Sequence, residues 1–241
     1  TIEEELIITD EKVISPGASL MQKDRNTNKI YIAYQSPKTP GKAYIYNVLT
    51  KEKKLVKEEI VPSGHNPNDY VVQRLSCNSH DGKKIPLTIT RHKNTQLDGS
   101  ANLLLYAYGS YGNSMGPAFS SNILSLINRN IIVVTAHVRG GMERGYNWWK
   151  DGKMLNKKNT FKDYHSSAKF LIEKKYTSKG KIIGMGGSAG GLLMGVAMNE
   201  TPELFLGMVM AVPFVDTLTT NLDHSLPLTV GEFNEFGNAK N

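Results

Sequence analysis

The hydrophobic pattern of the chain changes near residue 70. Before that point, two short aromatic and β-branched runs, 29–34 and 42–48, flank a connection rich in Pro, Gly and Ser. This pattern predicts an antiparallel hairpin. Two strands bury too little apolar surface to be stable alone, so the hairpin needs neighbours that the segment barely supplies. The Pro, Gly and Asn cluster at 62–68 then predicts a linker or domain boundary.

Beyond this boundary the apolar residues come in longer, unbroken runs. Two strands, 70–76 and 85–91, are predicted around a turn, and four apolar runs follow at 103–106, 131–134, 182–185 and 207–212. The four runs lack the alternation of polar and apolar positions that a half-exposed strand shows. We therefore expect them to be strands covered on both faces, as in a parallel sheet.

Helical patterns lie between these runs. Thr160 is expected to cap a helix with Asp163 as the acidic member of a capping box, and a second helix is predicted over 192–199. The first helix carries one apolar stripe, formed by Phe161, Tyr164, Ala168, Leu171 and Ile172. Alternating strands and helices predict an α/β fold with a mostly parallel, doubly wound sheet.

Composition narrows the class of protein. With 241 residues, 39% hydrophobic and 21% charged, the chain reads as an ordinary globular protein and not as a disordered, collagenous or disulfide-stapled one. Its single cysteine, Cys77, favours a reducing compartment, and we expect the cytoplasm. No apolar run is long enough for a transmembrane helix, so no membrane partner is expected. The net charge of +7 comes from scattered lysines without interleaved aromatics, so no nucleic acid partner is expected either.

One serine is surrounded by glycines. The stretch Gly186 to Gly190 matches G-x-S-x-G and stands between a predicted buried strand and a predicted helix. In that setting Ser188 occupies a sharp turn that exposes its hydroxyl, and glycines two residues before and after it avoid steric collision. The Ala189 N–H, at the helix start, would face the oxyanion formed in acyl transfer. The glycine spacing does not fit a phosphate or dinucleotide loop, so no cofactor and no metal are predicted.

A serine nucleophile needs a histidine base and a carboxylate. In a strand–Ser–helix fold of this kind both follow the serine in the chain, yet only His224 does so, after a single further strand. The other five histidines precede Ser188 and are expected to be surface or packing residues. The sequence therefore predicts that the base and its carboxylate lie beyond residue 241, and that the chain alone is inactive.

Three stretches together carry a family resemblance. The glycine cluster at Ser188, the Tyr106–Gly112 stretch and the His137–Gly141 stretch resemble the prolyl oligopeptidase family of serine peptidases, and within it the oligopeptidase B branch. The resemblance implies an α/β-hydrolase domain joined to a seven-bladed β-propeller that admits only short peptides. Residues 1–68 would then be the terminal portion of the propeller, and 69–241 a hydrolase domain lacking its C-terminal part.

The same resemblance assigns roles to residues. Tyr108 falls on the tyrosine that supplies the second oxyanion donor, and Tyr111 on an aromatic position near the substrate pocket. Glu232 falls on the first of two glutamates that hold a Lys or Arg before the scissile bond. The chain also departs from the family pattern: Asn234 replaces the second glutamate, Met142 a third glycine, and Gly116 and Ala118 replace acids used for a second basic side chain. Glu235 and Asp223 remain open as substitutes for the missing glutamate.

The resulting hypothesis is a serine peptidase that cleaves short peptides after Lys or Arg through an acyl-enzyme on Ser188. Two alternatives stay open from the sequence. One is a non-catalytic remnant or binding fragment. The other is a carboxylesterase on the same fold.

Overall fold

Two β-sheets organise the computed structural model, which describes residues 9–20 and 26–240. The first sheet is an antiparallel meander whose strands lie in chain order: β1 (Ser15–Leu20), β2 (Lys29–Gln35), β3 (Lys42–Asn47) and β4 (Lys53–Glu58). The predicted hairpin is confirmed as β2 and β3, with Lys29 paired to Asn47. The neighbours it needs are β1 and β4. The lysine-rich β4 is exposed along its whole length, which suits an edge strand.

The second sheet has six strands in the order β10-β9-β7-β8-β6-β5. Its strands are β5 (Tyr70–Asn78), β6 (Lys84–His92), β7 (Leu103–Tyr106), β8 (Ile132–Ala136), β9 (Ile182–Gly187) and β10 (Phe205–Ala211). The last four run parallel, while β6 is antiparallel to both β5 and β8. The predicted mostly parallel sheet is therefore confirmed.

Helices cover both faces of this sheet. The α-helices of the described residues are α1 (Ser121–Ile127), α2 (Tyr146–Lys150), α3 (Lys158–Glu173), α4 (Ala189–Glu200), α5 (Thr217–Leu222) and α6 (Thr229–Phe236). On one face, α3 and α4 pack against the strands through a large apolar cluster that includes Tyr164, Leu171 and Met194. On the other, Leu124 and Ile127 of α1 form a smaller cluster with the sheet. The apolar stripe predicted for the first helix is confirmed within α3.

Two details of the predictions are wrong. Helix α3 begins at Lys158, two residues before Thr160, so Thr160 is not a cap. The Thr160 hydroxyl is buried and donates to the Arg139 carbonyl at 2.8 Å, and Asp163 accepts hydrogen bonds from Arg139 instead of completing a capping box. Both side chains are drawn into long-range bonds because they lie on the buried face of the helix.

The last strand also departs from its expected burial. Met208 and Met210 of β10 pack on the core, but Leu206 is 61% and Val209 46% exposed. In the described part of the chain β10 has one neighbouring strand, β9, and forms one edge of the sheet. Within the same described ranges, none of the helices is long and apolar enough to cross a membrane.

Candidate active site

Ser188 stands at the junction of β9 and α4 in a strained backbone conformation. Its φ is 52° and its ψ −120°, a region that non-glycine residues rarely occupy and that costs on the order of 1–3 kcal/mol. Three backbone hydrogen bonds of 2.9 Å hold the turn: Ser188 N–H donates to the Ala211 carbonyl, and the Ser188 carbonyl accepts from Gly191 and Phe214. The side chain is exposed. The turn therefore holds the hydroxyl clear of the sheet, as the sequence predicts.

The glycines around Ser188 allow close backbone packing. A Cβ on Gly186 would lie 2.5 Å from the Gly190 carbonyl oxygen, inside the turn itself. A Cβ on Gly190 would lie 3.0 Å from the Ala107 carbonyl oxygen, and one on Gly191 would overlap Pro213. The steric explanation predicted from the sequence is confirmed. The tight contact at Gly190 also brings the residues after β7 against the serine turn.

Ala189 and Tyr108 flank the turn that carries Ser188. Ala189 is buried and is the first residue of α4, so its N–H has no carbonyl partner within the helix. Tyr108 follows β7, and its Cδ2 atom lies 3.5 Å from the position of a Cβ on Gly190. Among the described residues, none is hydrogen-bonded to the hydroxyl of Ser188 or of Tyr108. Both hydroxyls are thus available to an incoming molecule.

Tyr111 and Glu232 contact one another directly. The Tyr111 hydroxyl donates to Glu232 Oε2 at 2.6 Å, although the two residues lie on different elements. Burial, followed by this hydrogen bond, raises the pKa of Tyr111 above its ordinary value. Glu232 lies in the first turn of α6 and is half-buried. The two predicted substrate residues are therefore brought together, with one carboxylate oxygen already occupied.

Neither residue left open as a substitute for the second glutamate lies free beside Glu232. Glu235 is 1% exposed, and its carboxylate accepts from Trp149 Nε1 at 2.9 Å and pairs with Lys157 at 3.3 Å. Asp223 is exposed at the end of α5 and accepts from the Ser225 hydroxyl, which lowers the pKa of Asp223. Asn234 is exposed and neutral. In α6, Glu232 is thus the one acidic side chain not committed to an ion pair.

Lys157 is a site residue that the sequence analysis did not identify. Its ammonium group is buried and donates to the Gly109 carbonyl at 2.7 Å and to the Ser110 hydroxyl at 2.5 Å. Burial lowers the pKa of Lys157 to about 8, against the opposing effect of Glu235. The chain has Lys at both 157 and 158, and no local signal tells which of the two is buried.

Gly109 is also enclosed by backbone and side chains of other segments. A Cβ on Gly140 would overlap the Gly109 carbonyl, and a Cβ on Gly109 would lie 2.5 Å from Thr160 Cγ2. Arg139, the residue before Gly140, is 1% exposed and forms an ion pair with Asp163 at 2.6 Å, which anchors this segment. The segment between Tyr108 and Tyr111 is therefore packed from several sides.

None of the six histidines, all of which lie in the described residues, is hydrogen-bonded to Ser188. His137 is buried between Thr88, at 2.8 Å, and Glu143, at 3.3 Å. His224 is exposed and packs edge-on against Phe233 with the ring centroids 5.3 Å apart. The remaining four, His65, His80, His92 and His165, contact a carbonyl, a hydroxyl, an aromatic ring and a carboxylate, respectively. Nothing in residues 9–20 and 26–240 completes a Ser–His pair.

The other departures from the family pattern have visible packing roles. Met142 lies against Gly112, where a Cβ would be 2.7 Å from Met142 Cε. Gly116 and Ala118 line a cavity of about 250 Å³ together with Tyr106, His137, and hydroxyl-bearing and apolar side chains. This cavity carries no carboxylate on its wall.

Comparison with known proteins agrees with this geometry. The model of the "Prolyl oligopeptidase family" matches residues 117–241. The chain is 43% identical to dipeptidyl aminopeptidase BI of Pseudoxanthomonas mexicana and 42% identical to protease 2 of Moraxella lacunata, covering 95% and 92% of this chain and 32% of each relative. It superposes on oligopeptidase B of Trypanosoma brucei, solved with covalently bound antipain, with a TM-score of 0.90 and 38% identity over 97% of this chain and 33% of that one.

These matches confirm the predicted α/β-hydrolase fold and the resemblance drawn from the three sequence stretches. They also show how much of each relative the chain covers. The chain spans about a third of the length of the curated relatives it matches.

Proposed function

The chain belongs to the prolyl oligopeptidase family, and on that premise we propose that it carries the nucleophile and oxyanion site of a serine peptidase acting on short peptides. One observation carries the proposal: an exposed serine at φ 52° between a buried strand and a helix, with the unpaired Ala189 N–H next to it and the Tyr108 ring packed near Gly190 of the same turn. The strain at Ser188 is typical of a residue held in place for chemistry.

The proposed reaction is acyl transfer. Ser188 Oγ attacks the peptide carbonyl carbon while its proton passes to a histidine base. The carbonyl oxygen becomes an oxyanion that accepts hydrogen bonds from the Ala189 N–H and the Tyr108 hydroxyl. The C–N bond then breaks, the amine leaves with the proton, and water hydrolyses the ester on Ser188.

We propose that the base and its carboxylate come from outside residues 1–241. Two observations support this: the six histidines are engaged elsewhere, and the relatives are about three times as long as this chain. The chain alone is then expected to be inactive. In the same way, the division into a propeller portion at 1–68 and a hydrolase portion at 69–241 is a proposal, supported by the separate four-stranded sheet.

We further propose cleavage after Lys or Arg, with Glu232 binding the basic side chain. Its position beside Tyr111, next to the Tyr108 segment, supports this role. Because Asn234 is neutral and Glu235 is paired, a single carboxylate supplies the attraction, and the preference should be weaker than with two acids. The cytoplasm remains the proposed location, resting on the single buried Cys77.

A fluorophosphonate probe tests the central claim on the natural gene product that contains this chain. We expect labelling on Ser188, none in Ser188→Ala, and none in the 241-residue chain alone. Faster hydrolysis of a basic peptide amide than of p-nitrophenyl acetate separates a peptidase from a carboxylesterase. A correctly folded gene product that resists labelling would be the non-catalytic remnant, and the proposal would fail.

A further inference from the structure

A buried lysine that takes no part in the proposed reaction stands behind the oxyanion segment. Lys157 is 9% exposed, and burying an ammonium group is costly unless its donors are satisfied. Its three N–H donors have three acceptors: the Gly109 carbonyl, the Ser110 hydroxyl and Glu235 Oε1. This full set of partners marks a built contact and not an accidental burial.

Two of the three acceptors lie in the middle of a strained turn. Gly109, at φ 70°, and Ser110 stand between Tyr108 and Tyr111, and Tyr111 itself has φ 58°. A non-glycine residue at positive φ costs free energy and persists only where its surroundings hold it. Lys157 stabilises this turn, because its ammonium donates hydrogen bonds to both residues that join the two tyrosines. A shift of this turn would move the Tyr108 hydroxyl away from the oxyanion position.

The same ammonium connects the turn to helix α6. Glu235, 1% exposed, accepts from Lys157 on Oε1 and from Trp149 on Oε2. Three residues earlier on the same face of the helix, Glu232 accepts from Tyr111. The helix therefore contacts the turn directly at Tyr111 and indirectly through Lys157. The ring of Phe236 also packs against Tyr111, with the ring centroids 6.1 Å apart.

We propose that Lys157 is a positioning residue: its ammonium, paired with Glu235, fixes the Gly109–Ser110 turn and thereby couples the oxyanion tyrosine to the helix that carries Glu232. The inference rests on the proposed peptidase function and adds to it. Lys157 touches no substrate and acts through Tyr108. Loss of the ammonium should therefore lower kcat, which depends on the oxyanion, more than it raises KM.

The test compares Lys157→Met with Lys158→Met in the natural gene product. Lys158 is the adjacent, exposed lysine, so the same substitution there is a matched control. Hydrogen exchange is read at the amides of Gly112 and Asn113, which bond the Gly140 and Ser110 carbonyls across the turn. We expect exchange about 10-fold faster in Lys157→Met and unchanged in Lys158→Met. Equal exchange in all three proteins would overturn the inference.

Turnover provides the second arm. We expect Lys157→Met to lower kcat by about 30-fold with KM changed by less than about threefold. In a Tyr108→Phe background the same substitution should change kcat by less than about threefold, because the group it positions is gone. Fully additive losses would mean that Lys157 does not act through Tyr108, and the inference would be rejected.

A paired variant separates positioning from simple stability. Replacing both partners, as Lys157→Met with Glu235→Leu, removes the unpaired buried charge and should recover most of the unfolding free energy. The double variant should not recover kcat, since the Gly109–Ser110 turn still lacks the hydrogen bonds from the Lys157 ammonium. Recovery of both would reduce the ion pair to a structural role. If the unmodified gene product shows no Ser188-dependent turnover, the proposed function fails, and hydrogen exchange alone decides whether Lys157 holds the turn.

Discussion

The Tyr111 hydroxyl donates a 2.6 Å hydrogen bond to Oε2 of Glu232, which lies 121 positions later in the chain. This bond orients the carboxylate and leaves its Oε1 atom for a ligand. It also joins the segment that carries Tyr108 to helix α6. The proposed oxyanion residue and the proposed substrate-binding residue therefore lie on two segments joined by a direct hydrogen bond.

Removing the charge of Glu232 should reduce basic substrate turnover selectively. For Glu232→Gln we expect kcat/KM to fall about 100-fold on an arginyl peptide, because a charge-assisted hydrogen bond is lost, and less than about threefold on an alanyl peptide. Asp223→Asn, an exposed acid outside α6, is the control and should change neither. Equal losses on both substrates would remove Glu232 from the proposed pocket.

Tyr108→Phe deletes the proposed oxyanion hydroxyl and keeps the ring that packs near Gly190. Loss of one such donor typically costs about 100-fold or more in kcat, with little change in KM. Tyr106→Phe, two residues earlier at the end of β7, removes a hydroxyl outside the proposed oxyanion site and should leave kcat within about threefold. Steady-state kinetics of both variants on the same peptide substrate measures this difference in kcat. A Tyr108→Phe enzyme with unchanged kcat contradicts the assignment.

A methyl group should be tolerated at Gly195, inside α4, and not at Gly186, near the end of β9. In Gly186→Ala the new Cβ meets the Gly190 carbonyl, so we expect a loss of about 1–3 kcal/mol in unfolding free energy and no probe labelling. In Gly195→Ala, inside α4, the Cβ would lie 3.7 Å from Val215, an ordinary contact. This variant should be neutral or more stable by up to about 1 kcal/mol. Urea unfolding of both variants checks the contrast.

Lys157 should impose a pH dependence on stability. Its pKa is about 8 in the folded protein, lowered by burial against the opposing charges of Glu235 and Glu232, whereas an unfolded lysine titrates near 10.5. Between these values the unfolded chain holds one more proton, so stability rises with pH and is lost as pH falls toward 8. Relative to Lys157→Met, the unfolding free energy should rise by up to about 1.4 kcal/mol per pH unit from pH 8 to 9.5.

Urea titrations at intervals across that range measure this difference. Comparison with the variant cancels the contribution of the tyrosines, which titrate in both proteins. Lys158→Met should show the same slope of unfolding free energy against pH as the unmodified chain. A slope that is the same with and without Lys157 would show that its proton is not released in this range.

The sequence determined the features that depend on local sterics and local pattern. The glycines around Ser188 predict the strained turn because a Cβ at Gly186 would lie 2.5 Å from the Gly190 carbonyl oxygen, inside the turn itself. The unbroken apolar run at Leu103–Tyr106 predicts a buried strand because its residues have no polar face to show to water. These signals suffice for the α/β order and for the position of the proposed nucleophile, Ser188.

Only the tertiary structure decided which polar residues are buried and with whom. Nothing near Lys157 distinguishes it from Lys158, and nothing near Glu235 marks it as paired while Glu232 is accessible. Thr160 and Asp163 fit a capping box locally, yet both bond Arg139. The physical reason is that a buried polar group must find a partner, and the fold, by bringing distant segments together, decides which partner is within reach.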